Sequence, residues 1–195
     1  YIKVSIYMIK YLSKHKQKMN PFIVFIGYFI VTHCASADWN FFRGSADMRG
    51  VAKHSLQLPL KLAWDIKIGR SVFATPVVAG DKIFVGNEEG KFVSMDLKTG
   101  KILWEFDTED IIEGTACIAG SYVIFGSGDG FLYCMNQSDG KVKWKYETDG
   151  EILGGVNLFK SKEDNKLYVL AGSYDNYMHC VCLLYTSDAA DEHTG

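Results

Sequence analysis

The chain has little charge of one sign. Its 21 Lys+Arg and 23 Asp+Glu leave a formal net charge of −2. No basic stripe interleaved with aromatics occurs, so an electrostatic nucleic-acid binder is excluded. Cysteine motifs are also missing. There are five Cys residues, but no vicinal Cys-Cys pair and no C-x-x-C-H haem attachment motif. Long apolar runs are absent too. The strongest run, residues 21–32 (PFIVFIGYFIVT), falls short of the about 20 residues that a membrane helix needs. What is present is apolar and aromatic mass, 48% hydrophobic and 14% aromatic over 195 residues, which excludes disorder for most of the chain.

That mass is periodic. Trp64, Trp104 and Trp144 recur at a step of 40 residues, and so do Gly86 and Gly126, Gly90 and Gly130, Met95 and Met135, and Gly100 and Gly140. A step near forty with several short strands per unit is the mark of β-propeller blades. The first unit reads as strands at 72–79, 82–86, 92–96 and 101–106, and the second as 112–119, 122–126, 131–135 and 141–146. The third reads as 152–159, 167–172 and 177–181, with its extra residues in the polar loop 160–166. Residues 61–68 (KLAWDIKI) alternate apolar and polar, carry the first Trp, and have no blade before them. They read as an outer strand that closes the last blade of a ring. Gly100 and Gly140 end the turns 96–100 and 136–140, where Asp96 and Asn136 can bond the turn backbone and Gly supplies φ > 0. Gly90, Gly130 and Asn176 serve the next corner. Trp104 and Trp144 are placed to wedge between neighbouring blades and to find a partner for the indole N–H.

The termini read differently. Lys10, Lys14, Lys16 and Lys18 precede the apolar run and Ala35-Ser36-Ala37 follows it, the order of a secretory signal cut after Ala37. Residues 1–37 are therefore expected to direct export, with Met8 as the favoured start. An uncleaved membrane tether and a lipid-attachment site at Cys34 are the alternatives. Residues 38–60 form a lead-in, dense in aromatics around Trp39 and Phe42, that should pack over the ring. At the other end, residues 182–192 (CLLYTSDAADE) resemble a translated sequencing adaptor, so 182–195 are expected to be an artefact and the blade region to be 61–181. A divergent natural terminus is the alternative.

The turn and Trp residues resemble the PQQ-like, or quinoprotein-type, β-propeller repeat of exported bacterial proteins. Asp96-Leu97-Lys98-Thr99-Gly100 with Trp104 matches its tryptophan-docking motif. Asn136 to Gly140 with Trp144 is a looser copy, with Asp139 where Thr is usual. The likeness covers about residues 39–181. It implies an all-β fold of four-stranded antiparallel blades, with two full and further partial blades of a ring of seven or eight. The blade-docking set is then Trp64, Asp96, Gly100, Trp104, Asn136, Gly140 and Trp144.

Function is less legible. The dehydrogenases of the resembled superfamily bind PQQ and usually calcium, but no PQQ ligand carries over to a residue here. Cys134 and Cys180 align with Ser94, which marks a small, strand-buried position rather than a disulfide or a metal site. His179 and Cys180 are adjacent on a strand and point to opposite faces. One propeller face gathers Glu88, Glu89, Asp107, Glu109, Asp110, Glu113, Asp129, Glu147, Asp149, Glu151 and Asp175, a rim suited either to a cation or basic partner or simply to water. The reading is an exported binding or scaffold module with a protein partner or small ligand on a propeller face. A role of the outer-membrane-assembly kind is one implied by the resemblance. A PQQ-dependent alcohol-type dehydrogenase and an extracytoplasmic sensor remain the alternatives.

Overall fold

The computed structural model describes residues 38–44, 49–51 and 58–184, and these contain no helix. The signal assigned to 1–37, parts of the lead-in and most of the adaptor-like tail lie outside the described residues.

Three antiparallel sheets follow one another along the chain. Blade 1 is β1 (Val77–Ala79), β2 (Lys82–Gly86), β3 (Lys91–Asp96) and β4 (Ile102–Asp107), paired in that order. Blade 2 repeats it with β5 (Cys117–Ala119), β6 (Tyr122–Gly126), β7 (Phe131–Asn136) and β8 (Val142–Glu147). Blade 3 has β9 (Asn157–Lys160), β10 (Leu167–Gly172) and β11 (Met178–Cys182). The register is conserved from blade to blade, with Ile83 opposite Met95, Val123 opposite Met135, and Val169 opposite Val181. Even the irregularity recurs, since the ladder to the outer strand shifts at Ser94/Met95 and again at Cys134/Met135. The architecture is an incomplete all-β propeller.

The core lies between the blades. Alternation along β2, β3, β6 and β7 gives each middle strand two apolar faces, one for each neighbour. Between blades 1 and 2, Phe92 stacks on Phe125 with ring centroids 3.9 Å apart, and Phe84, Phe92 and Phe125 are fully buried. Burying each stabilises the joint by about 1.5–3 kcal/mol. Between blades 2 and 3, Ile124, Leu132 and Cys134 pack on Val169, Ala171 and Val181.

Two expectations are corrected. The inner strands, expected at 72–79, 112–119 and 152–159, shrink to three or four residues. The segments before them hydrogen-bond to hairpin corners instead. Ile111 accepts from Gly128 N–H of its own blade while Ile112 N–H donates to Asn87 of the previous one, and Glu151 and Ile152 repeat this with Tyr174 and Ser127. Residues 61–68, read as closing the last blade of a ring, join no sheet among the described residues. The position aligned with Ser94 is buried at Ser94 and Cys134 but exposed at Cys180, because the face of blade 3 that carries it meets no further blade among the described residues.

The start of the lead-in, at Trp39 and Asn40, packs at the inner edge of the blades, while Val51, Leu58 and Leu60 are exposed. Trp39 forms a two-bond antiparallel bridge with Val78, and Ile118 N–H donates to Asn40. The Trp39 ring lies so close to Gly44, at φ +90°, that a Cβ there would sit 2.8 Å from it.

Candidate functional site

The residues singled out for blade docking do come together, each Trp reaching forward to the next blade. Trp64 Nε1 donates to Leu97 O at 3.1 Å, Trp104 Nε1 to Gln137 O at 3.0 Å, and Trp144 Nε1 to Leu183 O at 2.9 Å. The receiving turn must be flat for the ring to lie on it, and glycine makes it so. A Cβ on Gly100 would be 2.7 Å from the Trp64 ring, and one on Gly140 would be 2.7 Å from the Trp104 ring. Both glycines have φ near +70°, at 70° and 68°.

Asp96 holds its turn in the expected way. Its Oδ1 accepts from Lys98 N, Thr99 N and Thr99 Oγ1 at 3.1, 2.8 and 2.7 Å. The Thr99 hydroxyl, with the Thr99 backbone N–H, keeps this carboxyl below its ordinary range. In the second turn Gly140 N donates to Asn136 O at 3.0 Å. There Asp139 takes the role of Thr99, its carboxylate accepting from Lys141 N at 3.1 Å where Thr99 Oγ1 accepts from Lys101 N at 3.3 Å.

At the opposite corners some of the acidic side chains have partners within the fold, while Glu88, Glu147, Asp149 and Glu151 are exposed. Asp129 accepts from Phe131 N, from Tyr133 O–H at 2.7 Å and from Glu109 N. Glu89 faces Arg70 at 3.5 Å, and Lys91 bridges Glu105 and Asp107 at 2.8 and 3.3 Å. The expected left-handed corners are present, with φ of 78° at Gly90, 85° at Gly130 and 75° at Asn176. Among the described residues no group of three or more His, Cys, Asp or Glu gathers to hold a metal ion.

One constellation escaped the sequence reading. His179 Nε2 lies 2.8 Å from Asp175 Oδ2, and His179 Nδ1 lies 3.2 Å from the Tyr146 hydroxyl. The same joint one blade earlier is an edge-to-face pair of Phe106 and Tyr133 at 5.4 Å. Aligning His179 with Tyr133 and Asp175 with Asp129 would have found it. Burial of Asp175 pushes its carboxyl up, but bonds from Tyr177 N, His179 and Ser173 outweigh this and leave it below its ordinary value. Cys117 and Cys134 behave as small core residues, whereas Cys180 is exposed. Burial pushes the Cys117 thiol far up and the Cys134 thiol up to about 12, so neither is a nucleophile.

Two recesses stand out among the described residues. A groove of about 560 Å³ separates the outer strands of blades 1 and 2, with Phe106, Tyr133 and Trp144 beside Asp107, Glu109 and Lys145. A second, of about 340 Å³, lies at the inner edge between Phe42, Phe73, Glu113 and Leu153.

The family described as outer membrane protein assembly factor BamB matches residues 61–175. The chain belongs to that family. The crystal structure of BamB from Moraxella catarrhalis is 20% identical over 63% of this chain and 40% of that one, with a TM-score of 0.52. Quinohemoprotein alcohol dehydrogenase from Comamonas testosteroni is 20% identical over 74% of this chain and 27% of its own, with a TM-score of 0.58. Sqt1 from Saccharomyces cerevisiae is 14% identical over 64% and 35%, with a TM-score of 0.52. Identities this low show the shared propeller fold alone, across three differently named proteins. The BamB-family chain therefore spans less than half the length of each of these structures. No curated relative matches it.

Proposed function

We propose that this chain is the blade-bearing part of an exported, non-catalytic propeller that presents a face to a protein partner. The supporting observation is how the polar side chains are used. Asp96 closes a docking turn, Asp129 and Asp175 are tied to Tyr133 and His179, and Thr148 bonds Gly130 O and Gly150 O at 2.9 and 2.7 Å. Side chains spent on the scaffold leave the loops between blades as the variable surface, the usual place for recognition on a rigid frame. Membership of the BamB family favours the same reading, since that family's description names an assembly factor. Export rests on the basic, apolar and small-residue order of residues 1–37.

The alternative, part of a PQQ-dependent dehydrogenase, is favoured by the quinohemoprotein neighbour. A tricarboxylate quinone held with calcium needs converging cationic and oxygen donors. The described residues do not fit that need, because their carboxylates are dispersed at separate turns and no donor group gathers. The test is equilibrium dialysis of the chain with PQQ and Ca²⁺, followed by a dye-linked alcohol assay. The scaffold reading expects no saturable uptake. Stoichiometric PQQ binding with turnover would overturn it. Fusion of residues 1–37 to a reporter that is active only outside the cytoplasm tests export separately.

A further inference from the structure

The joint between blades 1 and 2 leaves a groove on its outer side. Both walls belong to complete four-stranded blades, β4 on one side and β8 on the other, and each is the edge strand of its sheet. The groove holds about 560 Å³. Ligand-binding clefts run from about 300 to about 1,000 Å³. The floor is apolar. Phe106 meets Tyr133 edge-on at 5.4 Å, and Val142 beside them is 41% exposed. Burial, and then the bond to Asp129, push the Tyr133 phenol up, so it stays neutral and adds no charge to the floor.

Charge sits at two places along the groove. Just past the end of β4, Glu109 donates its backbone N–H to Asp129, while its carboxylate has no hydrogen bond or ion pair with a described residue. On the β8 wall the Lys145 ammonium lies 4.1 Å from the centroid of the Phe131 ring and meets no carboxylate among the described residues. Both side chains are exposed. Asp107, by contrast, shares Lys91 with Glu105. The equivalent place in the next joint is satisfied internally. There His179, aligned with Tyr133, has Asp175 and the Tyr146 hydroxyl as partners. An unpaired acid and an unpaired base beside an apolar floor select a partner by charge complementarity.

We propose that this groove receives an extended segment of a protein partner carrying a basic, an apolar and an acidic residue. The proposal rests on the reading of the chain as a partner-binding module. The apolar side chain covers Phe106 and Val142, the basic one pairs with Glu109, and the acidic one pairs with Lys145. The segment is extended because the walls are strands. The step from Val142 to Lys145 along β8 covers about 10 Å at about 3.3 Å per residue, which only extended backbone matches residue for residue. Main-chain groups at the two sheet edges add hydrogen bonds, and the side chains set the choice of partner.

The experiment titrates the full chain into a fluorescein-labelled probe, Gly-Ser-Arg-Leu-Asp-Ser-Gly, and into its Arg-to-Gln and Asp-to-Asn forms, reading anisotropy at low salt. The native chain should bind the probe saturably and each neutralised form about threefold more weakly, the scale of a partly exposed ion pair. In Glu109→Gln the preference for Arg should vanish while the preference for Asp stays. In Lys145→Gln the reverse should hold, as in a double-mutant cycle. Both residues are exposed, and unaltered far-UV circular dichroism checks that the variants fold. Absence of saturable binding, or the same losses in both backgrounds, would overturn the proposal. Equal displacement of the probe by free arginine amide would overturn it in favour of a small cation, and displacement by self-association would do so in favour of a second copy. Failure here leaves the non-catalytic reading standing, because PQQ uptake with turnover tests that reading separately.

Discussion

Replacing Gly140 by alanine imposes two separable costs on the joint between blades 1 and 2. The first is backbone. Gly140 has φ of 68°, and an L-residue there costs about 1–2 kcal/mol. The second is contact. The new Cβ would lie 2.7 Å from Cδ2 and Cε3 of Trp104, so the ring must move. Movement breaks the 3.0 Å bond from Trp104 Nε1 to Gln137 O, worth about 1 kcal/mol. It also loosens the tilted contacts of that ring with Phe84 and Phe92 at 5.8 and 6.1 Å, where aromatic pairs contribute about 0.5–1.5 kcal/mol. The total expected for Gly140→Ala is about 2–4 kcal/mol. Gly120 isolates the first cost. Its φ is 60°, but nothing lies within 4 Å of an added Cβ, so Gly120→Ala should cost only the backbone part. Urea unfolding of both variants, followed by tryptophan fluorescence and far-UV circular dichroism, gives the difference. Repeating Gly140→Ala in a Trp104→Ala background completes a double-mutant cycle. There the penalty should fall to the Gly120 value, because the ring that was struck is gone. Equal costs at positions 120 and 140, or a penalty at 140 that survives loss of Trp104, would refute the docking account.

Three further outcomes are expected. Ser94 is fully buried with no bond to its hydroxyl, and the next blade has Cys134 there; Ser94→Cys should therefore stabilise the chain by about 1 kcal/mol, read as a higher urea midpoint. The Tyr168 hydroxyl, helped by Lys166 N and Ser161, holds the Asp164 carboxyl at about 2 rather than 3.8. A depressed carboxyl stabilises the fold above the unfolded value and loses that contribution as pH falls through the folded one. Asp164→Asn should thus flatten the stability profile between about pH 4 and pH 2, and an unchanged acid limb would contradict the assignment. Finally, iodoacetamide should label Cys180 in minutes and leave Cys117 and Cys134 unlabelled in the native protein, because two are buried and one is exposed; equal labelling of Cys134 and Cys180 would be inconsistent with the buried joint between blades 2 and 3.

Much of the blade was legible because its determinants are short-range. The strands at 82–86, 122–126 and 167–172 have the bounds read from alternation and turn residues. The left-handed corners at Gly90, Gly130 and Asn176 followed from the turn chemistry alone. The inner strands were overdrawn because an apolar residue can be buried without joining a ladder, as Ile112 and Ile152 are. At 112 and 152 their N–H groups go to hairpin corners of the preceding blade, a partner that no local pattern reveals. The Asp175–His179–Tyr146 set was missed for a related reason. Asp175 and His179 lie on one side of a blade joint and Tyr146 on the other, and adjacency in sequence drew attention to Cys180 instead.

By itself the sequence determined the unit, meaning its period, its strand order, and the positions where only a left-handed glycine or asparagine can turn the chain. These depend on backbone sterics and on side-chain alternation within about forty residues. Tertiary structure decided what each unit meets. It placed Trp64 on the Gly100 turn, bonded to Leu97 33 residues ahead, left residues 61–68 without a ladder among the described residues, buried Cys134 while exposing its counterpart Cys180, and laid Trp39 along Val78 at the inner edge. The physical reason is that the repeats are nearly equivalent in sequence but not in surroundings. A residue's partner is set by which blade stands beside it, and identical local chemistry leads to a packed joint or an open edge according to that neighbour.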